Sequence, residues 1–293
     1  MKVFLTGATG NIGSAVVADL LAHGHTVAGL VRSDASAAKL AAVGASPVRG
    51  ELTDLDIVGT AAAEADGVIH LAFSNDFSSP QALADGVAEE SAAITAIGEA
   101  LIGSEKPFVV CSGTPPIPGR ASVENDPLPT DGPVGGRALT VNRTLALASQ
   151  GVRACAVRLP RTVHQNGEGG FAGLLTRMAR ESGVSGYPGD GSQRWPAVHS
   201  ADAAALFRLA LETAPAGTSW HAVADEGDRV IDIATVIGRR LGVPVRSVPT
   251  ETYGPLGAIF AMDQPASSDH TRHALGWTPS HPSLLADLEL IRP

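Results

Sequence analysis

The sequence predicts an α/β protein, a doubly wound parallel sheet with helices on both faces and a small C-terminal α/β cap. Three observations predict it. Strand and helix patterns alternate from the first residues to residue 159. A glycine-rich turn over residues 7–13 joins the first strand to the first helix. After Pro160 the alternation loosens into shorter elements punctuated by glycine and proline.

Each element follows from its local pattern. Val3-Phe4-Leu5 is an apolar run that ends at Gly7, and Ile12, Val16, Val17, Leu20 and Leu21 then recur at helical spacing. Residues 26–31 read as a strand, 35–43 as a helix, and Pro47-Val48-Arg49-Gly50 as a weak third strand. Residues 55–63 form a helix pattern and 68–72 a strand. Residues 80–102 make a long Ala- and Glu-rich helix with Pro80 in its first turn, followed by a strand at 108–111. A loop rich in Pro, Gly and Asp spans 113–136, and a loop of that length is functional or disordered. Residues 137–149 are helical with Gly151 as the stop, and 153–159 form a strand ended by Pro160. The βαβα order requires parallel strands with crossover helices.

Beyond Pro160, residues 164–170 read as a polar turn, 171–182 as a helix, and 183–196 as a loop with one short strand. A helix at 201–213, a strand at 219–224, a helix at 231–241 and a strand at 243–248 follow, then short helices between prolines. No low-complexity linker and no internal repeat divides the 293 residues. The expectation is one domain over 1–293, with cap and substrate segments mainly from 164–200 and 225–293.

Composition narrows the function classes. Hydrophobic residues make up 44% and charged residues 17%, so a folded core is expected. The formal net charge of −9 opposes a polyanionic partner, which argues against nucleic acid. No run reaches the ~18 apolar residues of a membrane helix. Cys111 and Cys155 each sit in an apolar run and read as buried thiols. With no signal-peptide pattern at the start, a soluble cytoplasmic protein is expected. His23-x-His25 and His270-x-x-His273 lack converging ligands, so no metal is expected. Only two tyrosines, Tyr187 and Tyr253, and three lysines, Lys2, Lys39 and Lys106, are present.

The strongest motif is Thr6-Gly7-Ala8-Thr9-Gly10-Asn11-Ile12-Gly13. Between a strand and an amphipathic helix, such glycines let the backbone turn tightly and approach a pyrophosphate. The helix N-terminus then offers free N–H groups to the anion. This marks a Rossmann-type dinucleotide site built from Gly7, Thr9, Gly10, Asn11, Ile12 and Gly13. The second strand ends Leu30-Val31-Arg32-Ser33-Asp34. Arg32 and Ser33 suit a 2′-phosphate, so NADP(H) is the expected cofactor. If Asp34 points inward instead, NAD(H) is the alternative.

These segments, with Glu51-Leu52-Thr53-Asp54-Leu55 and Val68-Ile69-His70-Leu71-Ala72, resemble the short-chain dehydrogenase/reductase superfamily. More narrowly, they resemble its extended or atypical branch of NAD-dependent epimerase/dehydratase-like proteins. Val157-Arg158-Leu159-Pro160 and the segment from Arg194 to Asp202 fit the same branch. The resemblance implies that Asp54 and Leu55 flank the adenine, and that Ala72 and Phe73 line the cofactor. It sets Leu159 and Pro160 near the nicotinamide amide. Asp54 has a second reading as a helix cap, and Leu159 as ordinary core.

The superfamily reduces carbonyls with a Ser/Thr, a Tyr and a Lys four residues after the Tyr. This chain lacks that pair, since Gly191 follows Tyr187 by four and Gly257 follows Tyr253 by four. By spacing to Gly151 and Val157-Arg158-Leu159, Arg137 stands where the tyrosine belongs and Val141 where the lysine belongs. Thr114 stands where the catalytic hydroxyl is expected, with Ser112 two residues before it. Either hydroxyl can bond a carbonyl oxygen or satisfy local backbone. Arg137 cannot deliver a proton near neutral pH but can hold an oxyanion, a phosphate or a carboxylate. His164, His199 and Tyr187 complete the set of candidate catalytic residues, each with a structural reading beside the functional one.

The resulting expectation is an NADP(H)-dependent oxidoreductase acting on a small organic carbonyl or related substrate, with non-standard proton delivery. The alternatives are a dinucleotide-binding sensor without turnover, and a non-redox lyase, isomerase or cyclase in the same cleft. Tyr187, Trp195, Phe260 and Met262 suggest a moderately apolar substrate pocket, with a core aromatic as the other reading of Trp195. Relatives pair through the helices at 80–102 and 137–149. With Val87, Ile94, Ile97 and Leu101 forming an apolar stripe, a homodimer is expected.

Overall fold

The computed structural model describes residues 1–292 apart from 75, 77, 78, 133 and 134, two of which fall in the long loop after the fifth strand. The chain begins with β1 (Lys2–Thr6), α1 (Asn11–Ala22), β2 (Thr26–Val31), α2 (Asp34–Ala42), β3 (Ser46–Arg49) and α3 (Leu55–Glu64). It continues with β4 (Gly67–His70), α4 (Pro80–Leu101), β5 (Pro107–Gly113), α5 (Gly135–Ala146) and β6 (Arg153–Leu159). Then come β7 (Thr162–His164), α6 (Gly170–Ser182), β8 (Ser185–Pro188), β9 (Arg194–His199), α7 (Ser200–Thr213) and β10 (Thr218–His221). The last elements are β11 (Asp225–Arg229), α8 (Val230–Leu241), β12 (Val245–Val248), α9 (Gly257–Phe260), α10 (Asp269–Leu275) and α11 (Leu284–Leu288). The chain forms two compact units. The first is Met1–Ser112, Pro127–Arg158 and Ala204–Trp220, and the second is Gly113–Asp126, Leu159–Ala203 and His221–Pro293.

The first unit carries a seven-stranded sheet of order β10-β6-β5-β4-β1-β2-β3. The pairs β3–β2, β2–β1, β1–β4 and β4–β5 are parallel, as the crossover helices require. Strand order reverses between β1 and β4, where Thr6 stands opposite His70. In such sheets that reversal opens a crevice beyond the carboxyl ends of the strands. The core gathers Phe4, Val68, Phe108, Val110 and Ala156. Ile94, Ile97 and Leu101 of α4 belong to this core, so three residues of the stripe expected to support a dimer are buried inside the unit. Helix starts are locally determined. Ser79 caps α4 by accepting from the Ala82 N–H at 3.1 Å, and Pro80 occupies its first turn. α5 gives way to a 3-10 turn at Leu147–Gln150, which ends on Gly151 with φ +70°, a left-handed stop.

The second unit holds a three-stranded sheet, β11-β9-β7, and a parallel β12-β8 pair. β9 runs antiparallel to β11 across a register shift between Asp225 and Asp228, and parallel to β7 with His164 opposite His199. Trp195, Phe260, Ile233, Ile237 and Leu284 form its core. Two strands here depart from the sequence reading. β7 lies in the segment read as the approach to a polar turn, and β11 has the sequence Asp-Glu-Gly-Asp-Arg, with no apolar residue to announce it. Pairing with β9 makes both of them strands. The segment read as a loop with one short strand at 183–196 contains β8 and also the start of β9. No helix among the described residues is long and apolar enough to cross a membrane.

Candidate functional site

The glycine turn is built for close backbone approach. Gly7 has φ +72°, and a Cβ there would lie 2.9 Å from the Ala72 nitrogen. A Cβ on Gly13 would lie 2.0 Å from the Gly7 carbonyl oxygen, so only glycine lets α1 start this close to β1. The Gly10 N–H donates to the Gly7 carbonyl at 3.1 Å, and Gly10 begins α1 without a side-chain cap. Thr9, Gly10 and Asn11 are exposed, and Ile12 is half-buried. An uncapped helix start behind an open glycine turn at the strand-order reversal fits a dinucleotide pyrophosphate.

At the end of β2, Arg32 is exposed. Ser33 caps α2, its hydroxyl accepting from the Ser36 N–H at 3.2 Å. Asp34 pairs with Arg49 of β3, so its carboxylate is already engaged by a guanidinium. Asp54 does not cap α3; its carboxylate accepts from the Glu51 N–H at 2.7 Å and closes the turn before the helix. Leu55 beside it is an exposed apolar residue.

Beyond β4 lies a connected polar group. The Thr6 hydroxyl accepts from the Leu71 and Ala72 N–H groups at 3.2 Å each and lies 3.0 Å from His70 Nδ1. With its lone pairs taken, Thr6 donates to Nδ1, which assigns the proton of the neutral ring to Nε2. Burial, and then the charge of Arg137, push the His70 pKa down to about 3, against a backbone contribution from Ala72. Arg137, near the start of α5, donates from Nε and Nη2 to the two oxygens of Glu90 at 2.6 and 2.7 Å. Its guanidinium carbon sits 4.1 Å from the centre of the Phe73 ring. The Glu90 side chain is 3% exposed and that of Arg137 26%. Burial works against the Arg137 charge, but the Glu90 bonds and charge outweigh it and raise its pKa. No partner holds Arg137 Nη1 among the described residues. Burial pushes the neighbouring Cys111 thiol up to about 12, so it stays protonated and unreactive. The half-buried Ser112 hydroxyl has no hydrogen-bond partner among the described residues, and Ala72 is half-buried beside Gly7.

The remaining candidates belong to the second unit. Thr114 is buried and its N–H donates to the Leu159 carbonyl at 3.0 Å. The Gln264 amide donates to both the carbonyl and the hydroxyl of Thr114. Leu159 is half-buried and Pro160 buried. His164 is fully enclosed, with Nδ1 3.1 Å from Asp287 Oδ2 but not aligned for a hydrogen bond. It meets the His199 ring edge-on at 5.5 Å, and His199 stacks on His281 at 4.7 Å. His199 Nδ1 accepts from the Ala201 N–H, and burial, with the neighbouring histidines, lowers its pKa. Asp202 accepts from the Ser280 and His281 N–H groups and lies 2.8 Å from His281 Nδ1. Tyr187 packs half-buried on β8 against the aromatic core. Trp195 and Phe260 are wholly enclosed in that core, where the sequence reading set them against a substrate. No group of three or more His, Cys, Asp or Glu among the described residues is placed to hold a metal.

Sequence reasoning missed Glu90 and His70. Glu90 had a signal, since it shares the helical stripe of Val87, Ile94, Ile97 and Leu101. A carboxylate inside an apolar stripe demands a buried partner. His70 ends a wholly buried strand, where an imidazole must find a local hydrogen bond.

Known proteins resemble this chain over most of its length. The model of the NAD dependent epimerase/dehydratase family matches residues 3–223. An uncharacterised protein of Schizosaccharomyces pombe is 45% identical over 98% of both chains. A 3-diazoavenalumate denitrifying reductase of a Streptomyces species is 29% identical over 97% of both. The crystal structure of a dTDP-glucose 4,6-dehydratase from Streptomyces venezuelae, with NAD bound, superimposes with a TM-score of 0.80 at 18% identity. That match covers 99% of this chain and 95% of the other.

Proposed function

Because the chain belongs to the NAD-dependent epimerase/dehydratase family, we propose that it is an NADP(H)-dependent reductase of a small organic carbonyl or related acceptor. In this reading Arg137, not a tyrosine, meets the negative charge that develops on the substrate. The carrying observation is the Arg137–Glu90–Phe73 group just past β4, with one guanidinium nitrogen that has no partner among the described residues. Glu90 fixes the guanidinium plane through two hydrogen bonds, and Phe73 covers one face. A pre-oriented charge in a half-buried place stabilises a developing anion without reorganisation. When bound, the nicotinamide supplies the hydride.

Arg137 holds charge but passes no proton. It therefore suits an acceptor whose reduced form is a delocalised anion, an enolate or a hydroquinone anion, that water can protonate. A saturated ketone would yield a localised alkoxide and need a proton donor that α5 does not carry. The Ser112 hydroxyl is available to bond the acceptor oxygen.

Arg32, together with the engagement of Asp34 by Arg49, supports NADP(H) over NAD(H). The full-length likeness to a reductase supports redox chemistry. A second reading, a dinucleotide sensor, is favoured by one observation: Val141 stands one turn after Arg137, where a lysine would serve catalysis.

Calorimetry with NADPH and NADH, followed by loss of reduced-nicotinamide absorbance against quinones, enones, ketones and aldehydes, tests the proposal. NADPH is expected to bind about 10-fold or more tighter than NADH, a difference of ~1.4 kcal/mol, and quinones or enones to be consumed. Tight NADPH binding with no acceptor reduced would establish the sensor reading. Binding of neither nucleotide would overturn both.

A further inference from the structure

Arg161 follows Leu159–Pro160 directly and immediately precedes β7. It is half-buried, and its Nε is enclosed without a hydrogen-bond partner. Its guanidinium carbon stands 5.3 Å from the centre of the half-buried Phe171 ring. No carboxylate among the described residues lies within ion-pair distance. Burial, with nothing to offset it, pushes its pKa down to about 10.

Several other arginines of the chain find acceptors. Arg120, Arg194, Arg208 and Arg229 each hold a carboxylate. Arg153 donates to the Leu211 and Ala214 carbonyls, and Arg240 to that of Ile291. Among the described residues, by contrast, Arg161 meets the Phe171 ring and no carboxylate. Trp195, whose ring lies 6.0 Å from Phe171, is fully buried with its Nε1 also unpartnered. The same aromatic cluster therefore carries two unsatisfied donors.

We propose that Arg161 is the receptor for the carboxylate group of a small ligand whose apolar part lies against Phe171. This site lies wholly within the second unit and stands apart from the reductase reading. The guanidinium fork matches a carboxylate with two parallel N–H···O bonds. One uncompensated positive charge calls for a monoanion. A phosphate monoester would bring a second charge into a half-buried place that holds no partner for it.

The test uses the full chain, with and without NADPH, and three probes: trans-cinnamate, its neutral analogue cinnamamide, and phenyl phosphate. Calorimetry is expected to show cinnamate binding about 10-fold or more tighter than cinnamamide, and tighter than phenyl phosphate. Arg161→Met, which keeps an unbranched stem over Phe171, removes the preference for cinnamate. It leaves cinnamamide and NADPH binding unchanged. Arg161→Lys retains part of the preference. Without ligand, Arg161→Met is expected to unfold about 2–4 °C higher, because it removes an uncompensated charge. A structural arginine would shift the midpoint downward.

Equal binding of cinnamate and cinnamamide, or no cinnamate binding at about 10 mM, overturns the proposal. So does a preference that survives Arg161→Met, a lower unfolding midpoint for that variant, or tighter binding of phenyl phosphate. NADPH binding to the wild type reports on the reductase reading separately, since the carboxylate preference can fail while the nucleotide still binds.

Discussion

Replacing Arg137 by Met removes the guanidinium while keeping an unbranched stem against Phe73. What remains is the Glu90 carboxylate, 3% exposed, stripped of two hydrogen bonds of 2.6 and 2.7 Å. Breaking a buried ion pair from one side costs about 3–5 kcal/mol, and the enclosure of Glu90 sets this case at the upper part of that range. Glu90→Leu leaves the opposite orphan. Arg137 is 26% exposed and can reach water, so that loss is expected to be about 1–3 kcal/mol. The double variant removes both charges and is expected within about 2 kcal/mol of the wild type. The cycle thus yields a coupling of at least ~2 kcal/mol. Urea unfolding followed by circular dichroism, at one pH and with comparable m-values, measures all four proteins. Arg137→Met costing below ~1 kcal/mol, or losses that simply add, would show that the pair is not the enclosed, coupled unit described above.

Three further outcomes are expected. Gly13→Ala places a Cβ 2.0 Å from the Gly7 carbonyl oxygen, so it should abolish NADPH binding in calorimetry and destabilise by about 1–3 kcal/mol; a variant that binds normally contradicts the cradle. Arg32→Glu should weaken NADPH binding by about 10- to 100-fold (~1.4–2.7 kcal/mol) while sparing NADH, and unchanged NADPH affinity refutes the 2′-phosphate assignment. His70, lowered from 6.5 to about 3, contributes stability that is complete above pH 6.5 and is lost as pH falls toward 3. The slope is roughly 1.4 kcal/mol per pH unit for this one group. His70→Asn, whose amide oxygen can still accept from Thr6, should flatten urea midpoints over that window; an unchanged slope would assign the acid sensitivity elsewhere.

Some of this was legible because the rule is steric or countable. Gly7 and Gly13 announce their turn, since no other residue fits the approach to Ala72 and to the Gly7 carbonyl. The absence of a Tyr–Lys pair near residue 137 is robust to any shift of register, because the segment contains neither residue. Partners were less legible. Arg137 was named, but Glu90 lies 47 positions away, and only the fold brings the two side chains together. β11 carries no apolar residue and becomes a strand only through β9. His164 and His199 were candidates for the cleft by chain position, and the register of β7 on β9 sets them ring to ring with His281 behind. Arg161 gave no sequence signal, because a missing counterion can be recognised only in three dimensions.

In the proposed reaction a fixed, non-titrating charge replaces the usual proton donor. The pH dependence of turnover tests it most directly. With saturating NADPH and the best quinone or enone from the panel, kcat is expected to stay within about 2-fold from about pH 6 to about pH 9, because Arg137 does not titrate there. Arg137→Lys should lower kcat without introducing a bell in that range. A wild-type profile with an apparent pKa between those limits, unchanged by Arg137→Lys, would show that another side chain delivers a proton, and would contradict the assignment of Arg137.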